Sequence, residues 1–369
     1  MQTKNPSAER KQPEHDVSLH NQSTALHDTP SQFSTKPTKA PKKHKALRVF
    51  GIVIAVVVAL LICVVAGVNI FVHTTYASFY EKAEPQFQIP GINEGFIPQD
   101  LDYLGEADSW LFSGYTSDGS PSAIYRRASD GSVDRILVDL PDETVYDGHG
   151  SGITSEGSFA FLTCEGGYLV LQASDLAAAK DGDHISVIDK VDLDFTPSFL
   201  NIENGSLYVG NFYYPEKYET PDEHRITTPD GTLNPAVIYV YEKDAEAPYG
   251  FSQQAACVYS IRDKVQGCAQ TADNKLVLSC SYGLATSNLT VYDLGKIVQD
   301  GTFEADGREV PLYALDSRSL VENLDAPPMS EGIEGHDGLI YTTDEAASNK
   351  YIFGKLYGAG QVYALNLNS

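Results

Sequence analysis

An uninterrupted apolar run from Val49 to Val72 is the first feature of the chain, and Asn69 is its one polar residue. A helix of roughly 20 apolar residues spans the hydrocarbon core of a bilayer. The run therefore predicts a transmembrane helix over residues 49–72, with the lipid bilayer as its partner. Basic residues cluster only before it, between Lys36 and Arg48. Because positive charge stays on the cytoplasmic side, the sequence predicts a single-pass membrane protein with a cytoplasmic N-terminus and an extracytoplasmic C-terminal part.

A cleaved signal peptide is the alternative explanation of this run. Signal peptides have a short basic segment followed by an apolar core of about 7–15 residues. Here the apolar run is longer, and a polar tail, residues 1–48, precedes it. These differences favour an uncleaved signal-anchor over cleavage near Ala77 and Ser78. The tail is rich in Lys, Pro, Ser, Thr and Gln, a composition that cannot bury a core, so it is predicted to be disordered.

Short runs of β-branched and aromatic residues, separated by Asp-Gly, Asn-Gly and Asp-Asn pairs, fill residues 90–369. Such runs and pairs predict short strands joined by tight hairpins. The chain repeats one order five times: a polar opening, a strand that ends in small polar residues, and a further apolar strand, often with Ile-Tyr or Val-Tyr. The five openings begin at Ile97, Gly148, Thr196, Val265 and Met329.

Four-stranded sheets arranged around a channel explain this repeat better than a β-sandwich does. The sequence therefore predicts an all-β fold, a β-propeller of five blades over residues 90–369. Six blades are the alternative, if the insertion Gly301–Leu320 forms a sheet of its own. Residues 73–89 are predicted to be a stalk, in which Pro85–Ile89 adds a closing strand to the last blade.

Charge narrows the choice of partners. The whole chain has a net charge of −24, and the acidic excess lies in residues 73–369 because the tail is net basic. An acidic surface of this kind repels nucleic acid, so no nucleic-acid partner is expected. The acidity is explained either by a well-solvated surface or by loops that bind divalent cations.

Four of the five cysteines lie beyond the apolar run, where disulfides are permitted. One bridge is expected among Cys257, Cys268 and Cys280, which are close in sequence, with Cys164 further away. The spacing does not define the pairing.

The polar residues that open the five units are the candidate site. Innermost propeller strands surround a central channel, so these side chains are predicted to meet at one mouth of that channel. The segment 344–351, which follows the last inner hairpin, adds Glu345 and Lys350. The ligand-binding candidates are Gln99, His149, Ser198, Gln266, Glu331 and Glu345. They could bind a polar ligand, or they could fill the channel with ordered water.

Short sequence elements resemble known families. The stretches G-F-I-P-Q from Gly95, V-Q-G from Val265 and P-P-M-S-E-G-I from Pro327 resemble uncharacterised secreted or membrane-anchored propellers of Gram-positive bacteria. The E-G-I triplet at Glu331 and the general layout resemble the gluconolactonase, strictosidine-synthase-like and phytase-like propellers. That resemblance implies Glu331 as a metal ligand and a divalent cation such as calcium as cofactor. The remaining Asn and Asp ligands of the lactonase family have no match in this chain.

Two enzymatic alternatives accompany a binding role. One is a metal-dependent hydrolase, lactonase-like or esterase-like, that uses Glu331. The other is a glycosidase, which needs two carboxyl groups at a defined separation; its candidates are Glu331, Asp147, Asp100 and Glu345. The sequence favours a binding module at the bacterial cell surface whose ligand is a small molecule, a glycan or a protein. The aromatic cluster around Phe212 and Tyr218 could stack on such a ligand.

Overall fold

The computed structural model describes residues 43–368. Its first element is helix α1 (Lys43–Thr75), and the stretch Lys45–Thr75 is long and apolar enough to cross a membrane. The helix begins before residue 49 and ends after residue 72, so it is longer at both ends than the predicted span. Residues 1–42 of the predicted disordered tail lie outside the described residues. Most of the large apolar side chains of α1 are exposed as far as Phe71, while Val68 is partly buried against the propeller.

A short helix and a strand lead into the propeller. Helix α2 (Ala77–Lys82) continues directly into strand β1 (Ala83–Gln88). The helix residues from Val57 onward belong to the same compact unit as the propeller. The segment that was predicted to be a stalk is therefore a short helix and a strand of the last sheet.

The first two blades follow the predicted order. Blade 1 contains four consecutive antiparallel strands, and blade 2 contains three consecutive strands and a fourth that follows after an insertion. The insertion contains helix α3 (Ala173–Ala178) and one strand, β9, which pairs in parallel with the outer strand of blade 1. The strands are β2 (Phe96–Leu104), β3 (Ser109–Thr116), β4 (Ala123–Ala128), β5 (Val133–Asp139), β6 (Ile153–Glu156), β7 (Phe159–Cys164), β8 (Gly167–Gln172), β9 (His184–Ser186) and β10 (Asp189–Asp192).

Blade 3 is the largest sheet, because strands from elsewhere extend it. Its four own strands are interrupted by a separate two-stranded hairpin, β13 and β14. The strands of this part of the chain are β11 (Phe199–Glu203), β12 (Ser206–Gly210), β13 (Ile226–Thr227), β14 (Leu233–Asn234), β15 (Ala236–Glu242) and β16 (Cys257–Ile261).

Blade 4 donates a hairpin to blade 3. Its third and fourth strands are separated by strands β20 and β21, and β21 pairs in parallel with β16 of blade 3. The insertion Gly301–Leu320 therefore widens an existing blade, and the six-bladed alternative is wrong. The strands are β17 (Val265–Gln270), β18 (Lys275–Cys280), β19 (Ser287–Asp293), β20 (Gln299–Ala305), β21 (Arg308–Ala314) and β22 (Leu320–Ala326).

Blade 5 is closed by the first strand of the domain. Its strands β23 (Ser330–His336), β24 (Leu339–Asp344) and β25 (Gln361–Leu365) are completed by β1, which pairs antiparallel with β25. The predicted closing strand is confirmed, with bounds shifted by one or two residues. Because the two ends of the domain share one sheet, neither can detach without breaking the hydrogen bonds of blade 5.

The innermost strands β2, β6, β11, β17 and β23 contact one another in a closed ring. Among the described residues, five hydrophobic clusters fill the five spaces between neighbouring blades. Phe161 of blade 2 and Tyr239 of blade 3, for example, belong to the same cluster. This arrangement confirms the five-bladed propeller, and it turns one end of every inner strand toward the same mouth.

The five cysteines, all of them within the described residues, are free thiols. Cys268 is paired with Leu278 in the blade 4 register, whereas Cys280 is paired with Val265. Cys257 belongs to strand β16 of blade 3. The expected disulfide is therefore wrong for this structure, because the strand register and the division between blades keep these thiols apart.

Candidate functional site

One cavity of about 510 Å³ opens at the mouth of the central channel. Each blade contributes one polar residue to its lining from the start of its inner strand or from the segment just before it. Glu345, which directly follows β24, joins them. All six ligand-binding candidates from the sequence therefore lie together: Gln99, His149, Ser198, Gln266, Glu331 and Glu345.

A chain of side-chain contacts links three blades at this cavity. His149 Nε2 lies 2.6 Å from Gln99 Oε1, so the imidazole donates to the amide oxygen. The amide nitrogen of Gln99 donates to the carbonyl of Pro98 at 2.9 Å and to Glu345 Oε2 at 3.4 Å. Both the oxygen and the nitrogen of the Gln99 amide are thus hydrogen-bonded, and these bonds fix its orientation without any ligand.

The imidazole of His149 is stacked on a second aromatic ring. Its centroid lies 4.4 Å from that of Tyr115, and the Tyr115 hydroxyl accepts a hydrogen bond from Lys350 Nζ at 2.8 Å. The ring of His149 is open to the cavity, but the surrounding walls reduce its hydration. This loss of hydration is the main cause that lowers its pKa, and the positive charge of Lys350 lowers it further. A neutral His149 at pH 7 donates through Nε2 and leaves Nδ1 as an acceptor.

Two carboxyl groups from blade 5 lie in the same cavity. Glu331 is buried, with 3% of its surface exposed. Burial, and then repulsion by Glu345, raise its pKa well above the usual range. Burial also raises the pKa of Glu345 to about 7. The uncharged form of Glu331 is therefore favoured, while Glu345 titrates near neutral pH.

The opposite wall of the cavity is aromatic. Phe212, Tyr218 and Tyr282 line it, and Lys217 Nζ donates to the Tyr282 hydroxyl at 2.8 Å. Tyr282 also stacks on Tyr214 at a centroid distance of 3.7 Å. The sequence indicated the first two rings, but Tyr282 was not considered as a site residue, although it lies in the S-C-S-Y-G segment that closes β18.

A second group of acidic side chains lies deeper along the same inner strands. It comprises Asp102, Glu203 and Glu334, which are buried and come from three different blades. Asn201 donates to Glu203 Oε1 at 3.4 Å and to the carbonyl of Cys268 at 2.7 Å. Burial raises the pKa of Asp102 to about 7 and that of Glu203 to about 8. Sequence reasoning missed this cluster, because acidic residues are frequent and no spacing marks these three.

The other glycosidase candidates do not belong to the cavity lining. Asp147 is exposed on the segment before His149. The buried Asp100 Oδ2 accepts the backbone N–H of Ile153 at 2.8 Å, so this carboxyl clamps blade 1 to blade 2. Of the four predicted carboxyl groups, only Glu331 and Glu345 line the cavity.

The carboxyl groups around Glu331 supply only part of the coordination sphere of a calcium ion. Calcium takes six to eight oxygen ligands, whereas two carboxyl groups line this cavity and the amide of Gln99 is already engaged. Within residues 43–368, no group of three or more His, Cys, Asp or Glu side chains has a geometry suited to a metal ion. A divalent cation at Glu331 stays a prediction from the family resemblance.

No family model and no curated protein sequence matches this chain. Solved structures do share its fold. The PQQ-bound aldose sugar dehydrogenase of Streptomyces coelicolor is 13% identical, with a TM-score of 0.43 over 76% of this chain and 96% of that one. A protein assigned to the gluconolactonases is 12% identical, with a TM-score of 0.34 over 77% and 91%. The WD40 propeller of Doa1 is 10% identical, with a TM-score of 0.34 over 70% and 80%.

These similarities concern the fold alone. The neighbours include gluconolactonase-type and sugar-dehydrogenase-type propellers, which confirms the predicted resemblance at the level of architecture. They include a WD40 propeller as well. The neighbours do not distinguish a binding role from a catalytic one, so the function has to be inferred from the cavity itself.

Proposed function

We propose that this protein is a membrane-anchored propeller that binds a polar ligand in its mouth cavity on the extracytoplasmic side of the bacterial cell membrane. The observation that carries the proposal is the convergence of one polar residue from every blade on a single cavity of about 510 Å³. Ligand sites are concave and combine apolar or aromatic walls with a few fixed polar groups.

The cavity has the chemistry of a site for a hydroxyl-rich or phosphate-bearing group. Gln99 and His149 present fixed hydrogen-bonding atoms, while the rings of Phe212 and Tyr282 offer flat apolar faces. Lys350 adds a positive charge at the edge. Stacking on a ring together with hydrogen bonds from amides is the usual way in which proteins hold sugars and related polar molecules.

The anchoring half of the proposal is supported by helix α1. It is long and apolar enough to span a membrane, and the basic residues before it favour a cytoplasmic N-terminus. The propeller follows the helix in the chain, so this topology puts the cavity outside the cytoplasm.

The experiment is a binding screen of the full-length protein in nanodiscs against a glycan array, with binding constants then measured for each positive glycan. Gln266→Leu and Tyr282→Ala alter the cavity, and each should weaken binding at least tenfold, about 1.4 kcal/mol. Gln299→Leu is the control, because Gln299 is exposed on β20 and is not part of the cavity lining. Binding that is equal in all three variants would contradict the proposal.

Hydrolysis by acid–base catalysis is the second candidate, and one observation favours it. Glu345 and Glu331 line the same cavity, and burial raises the pKa of both, that of Glu345 to about 7 and that of Glu331 well above its usual range. Two carboxyl groups in one site, with pKa values shifted by their surroundings, are typical of glycosidases. Release of 4-nitrophenol from aryl glycosides or esters, lost in Glu345→Gln and Glu331→Gln but kept in Gln299→Leu, would establish this function in place of simple binding.

A further inference from the structure

The end of the membrane helix packs against the propeller. Val72, Tyr76 and Phe79 are buried in the cluster between blades 4 and 5. The side-chain amide of Asn69 donates to the carbonyl of Tyr357 at 3.5 Å, and the Tyr76 hydroxyl lies 3.2 Å from Thr286 Oγ1. The junction between helix and propeller is thus a packed interface, and it fixes which face of the domain adjoins the helix.

The loops that receive the helix are the loops that line the mouth cavity. Thr286 belongs to the segment 281–286 between β18 and β19, which also carries Tyr282 of the aromatic wall. Tyr357 belongs to the segment 345–360 between β24 and β25, which also carries Glu345 and Lys350. The mouth therefore lies on the side of the propeller from which the helix approaches.

The position of Asn69 sets the depth of this contact. Asn69 lies within the apolar run that ends at Val72, and a helix rises 1.5 Å per residue. The contact with Tyr357 is therefore about 4.5 Å inside the end of the run. The interfacial layer on each side of the hydrocarbon core is about 5–8 Å thick. Segment 345–360 thus reaches the level of the lipid head groups.

The same two loops expose large aliphatic side chains. Leu284 is 63% exposed and Ile352 is 73% exposed, although each is adjacent to a cavity-lining residue, Gly283 and Tyr351. Lys350 and Lys355 accompany Ile352 on its segment. Exposed aliphatic residues beside tyrosines and lysines are the composition of a surface that lies at a membrane interface, in a domain that is otherwise strongly acidic.

We propose, on the basis of the anchoring and binding roles above, that the mouth of the propeller faces the bilayer. Leu284 and Ile352 contact the lipid surface, and the cavity takes the polar head group of a membrane lipid. The ligand then enters from the interface rather than from the surrounding water. Lys350 provides the positive charge that a lipid phosphate requires, and the aromatic wall adjoins the glycerol or sugar part of the head group.

The orientation is tested by tryptophan fluorescence of the full-length protein in nanodiscs that contain brominated lipids. Leu284→Trp and Ile352→Trp should be quenched, because bromine quenches only tryptophans that contact the bilayer. Val298→Trp is the matched control: Val298 is 58% exposed, but it follows the end of β19 that is distant from the mouth. The native Trp110 is the one tryptophan of the parent protein and is present in every variant. The quenching of each variant is therefore compared with that of the parent protein. Equal quenching at all three positions, or no quenching at 284 and 352, overturns the orientation and leaves the proposed binding function intact.

The ligand class is tested by native mass spectrometry of the full-length protein released from nanodiscs of mixed phospholipid and glycolipid. Retention of a lipid by the wild type and by Gln299→Leu, with at least a tenfold loss in Gln266→Leu and Tyr282→Ala, supports the head-group site. Lipid retained equally by all variants overturns it. Binding of a soluble glycan by the same cavity, with no cavity-dependent lipid, also overturns the lipid assignment while upholding the proposed binding function.

Discussion

The imidazole Nε2 of His149 lies 2.6 Å from the side-chain oxygen of Gln99, so blades 1 and 2 meet directly at the edge of the cavity. The same amide group reaches Glu345 of blade 5 at 3.4 Å. Two of the five opening residues, Gln99 and His149, and Glu345 from the segment after β24 are therefore held by one another. A site whose groups are already oriented loses less conformational entropy when a ligand binds.

Replacing His149 by phenylalanine should distinguish the contribution of its hydrogen bond to stability from that of its ring stacking. His149→Phe keeps a ring that stacks on Tyr115 but removes the hydrogen bond to Gln99, which typically stabilises a fold by about 1 kcal/mol. The midpoint of urea unfolding should fall by a corresponding amount. His184→Phe is the control, because His184 makes an exposed pair with Asp139 and should change the midpoint less. An unchanged midpoint in His149→Phe would show that the contact with Gln99 does not stabilise the mouth.

Stability should decrease as the pH rises through the neutral range. Burial raises the pKa of Asp102 to about 7 and of Glu203 to about 8, and it raises that of Glu334 well above its usual range. Between about pH 4.5 and pH 8 the folded protein therefore binds protons that the unfolded chain has lost. The free energy of unfolding must then fall with pH, by about 1.4 kcal/mol per pH unit for each such proton. The contribution is fully present below the unfolded pKa and is lost above the folded one.

The variant Glu203→Gln isolates this effect. Its melting temperature should decrease less between pH 5.5 and pH 8.5 than that of the wild type, because one buried carboxyl group no longer ionises. The buried His224, whose pKa is lowered to about 4, contributes equally to both proteins and cancels in the comparison. Parallel melting curves for the two proteins over this range would contradict the raised pKa of Glu203.

Local patterns in the sequence were sufficient to predict the blades and the mouth. The openings at Gln99, His149 and Glu331 are recognisable because each precedes or begins an apolar strand, and a repeated unit brings equivalent positions to one axis. The closing strand at Pro85 was predictable because it lies outside the five repeated units and so has no partner in a unit of its own. All these features can be read from short stretches of a single sequence.

Features that depend on long-range pairing were not predictable. Strand β21 pairs in parallel with β16, and nothing near Arg308 indicates a partner so far back in the chain. Nothing in the sequence around Glu334 distinguishes it from the other acidic residues, because its burial depends on the packing of the inner strands. Helix α1 was predicted, but its contact with Tyr357 depends on how blade 5 folds.

The glycine of the E-G-I triplet should be essential for inter-blade packing. A Cβ on Gly332 would lie 1.7 Å from Asp100 Oδ1 and 2.8 Å from the Asp100 Cα, so the backbone itself would have to move. Gly332→Ala should destabilise the fold by about 1–3 kcal/mol or more, the typical cost of overpacking. Gly105→Ala is the control, since nothing lies within 4 Å of its Cβ position. Equal melting temperatures for the two variants would show that blades 1 and 5 can separate without cost.

Removal of divalent cations should leave the stability of the full-length protein unchanged. The expectation follows from the burial of Glu331, which raises its pKa and so disfavours the ionised carboxylate that a cation would need. The measurement is thermal melting before and after EDTA, together with elemental analysis. A stoichiometric ion whose removal lowers the melting temperature in the wild type, but not in Glu331→Gln, would instead establish the cation that the family resemblance implies.

Two phenylalanines of the helical segment should respond very differently to truncation. Phe79 is buried and lies 5.7 Å from the ring of Tyr363 in an edge-to-face contact, whereas Phe71 is 61% exposed on the helix. Truncation of a buried phenylalanine typically costs about 3–5 kcal/mol, so Phe79→Ala should lower the melting temperature of the full-length protein in nanodiscs. It should also make the chain near Lys82 susceptible to limited proteolysis, because β1 follows directly and loses its support. Phe71→Ala, which changes only an exposed side chain of α1, should do neither. If both variants behave like the wild type, the helix is not fixed to blade 5, and the mouth is free to turn away from the membrane.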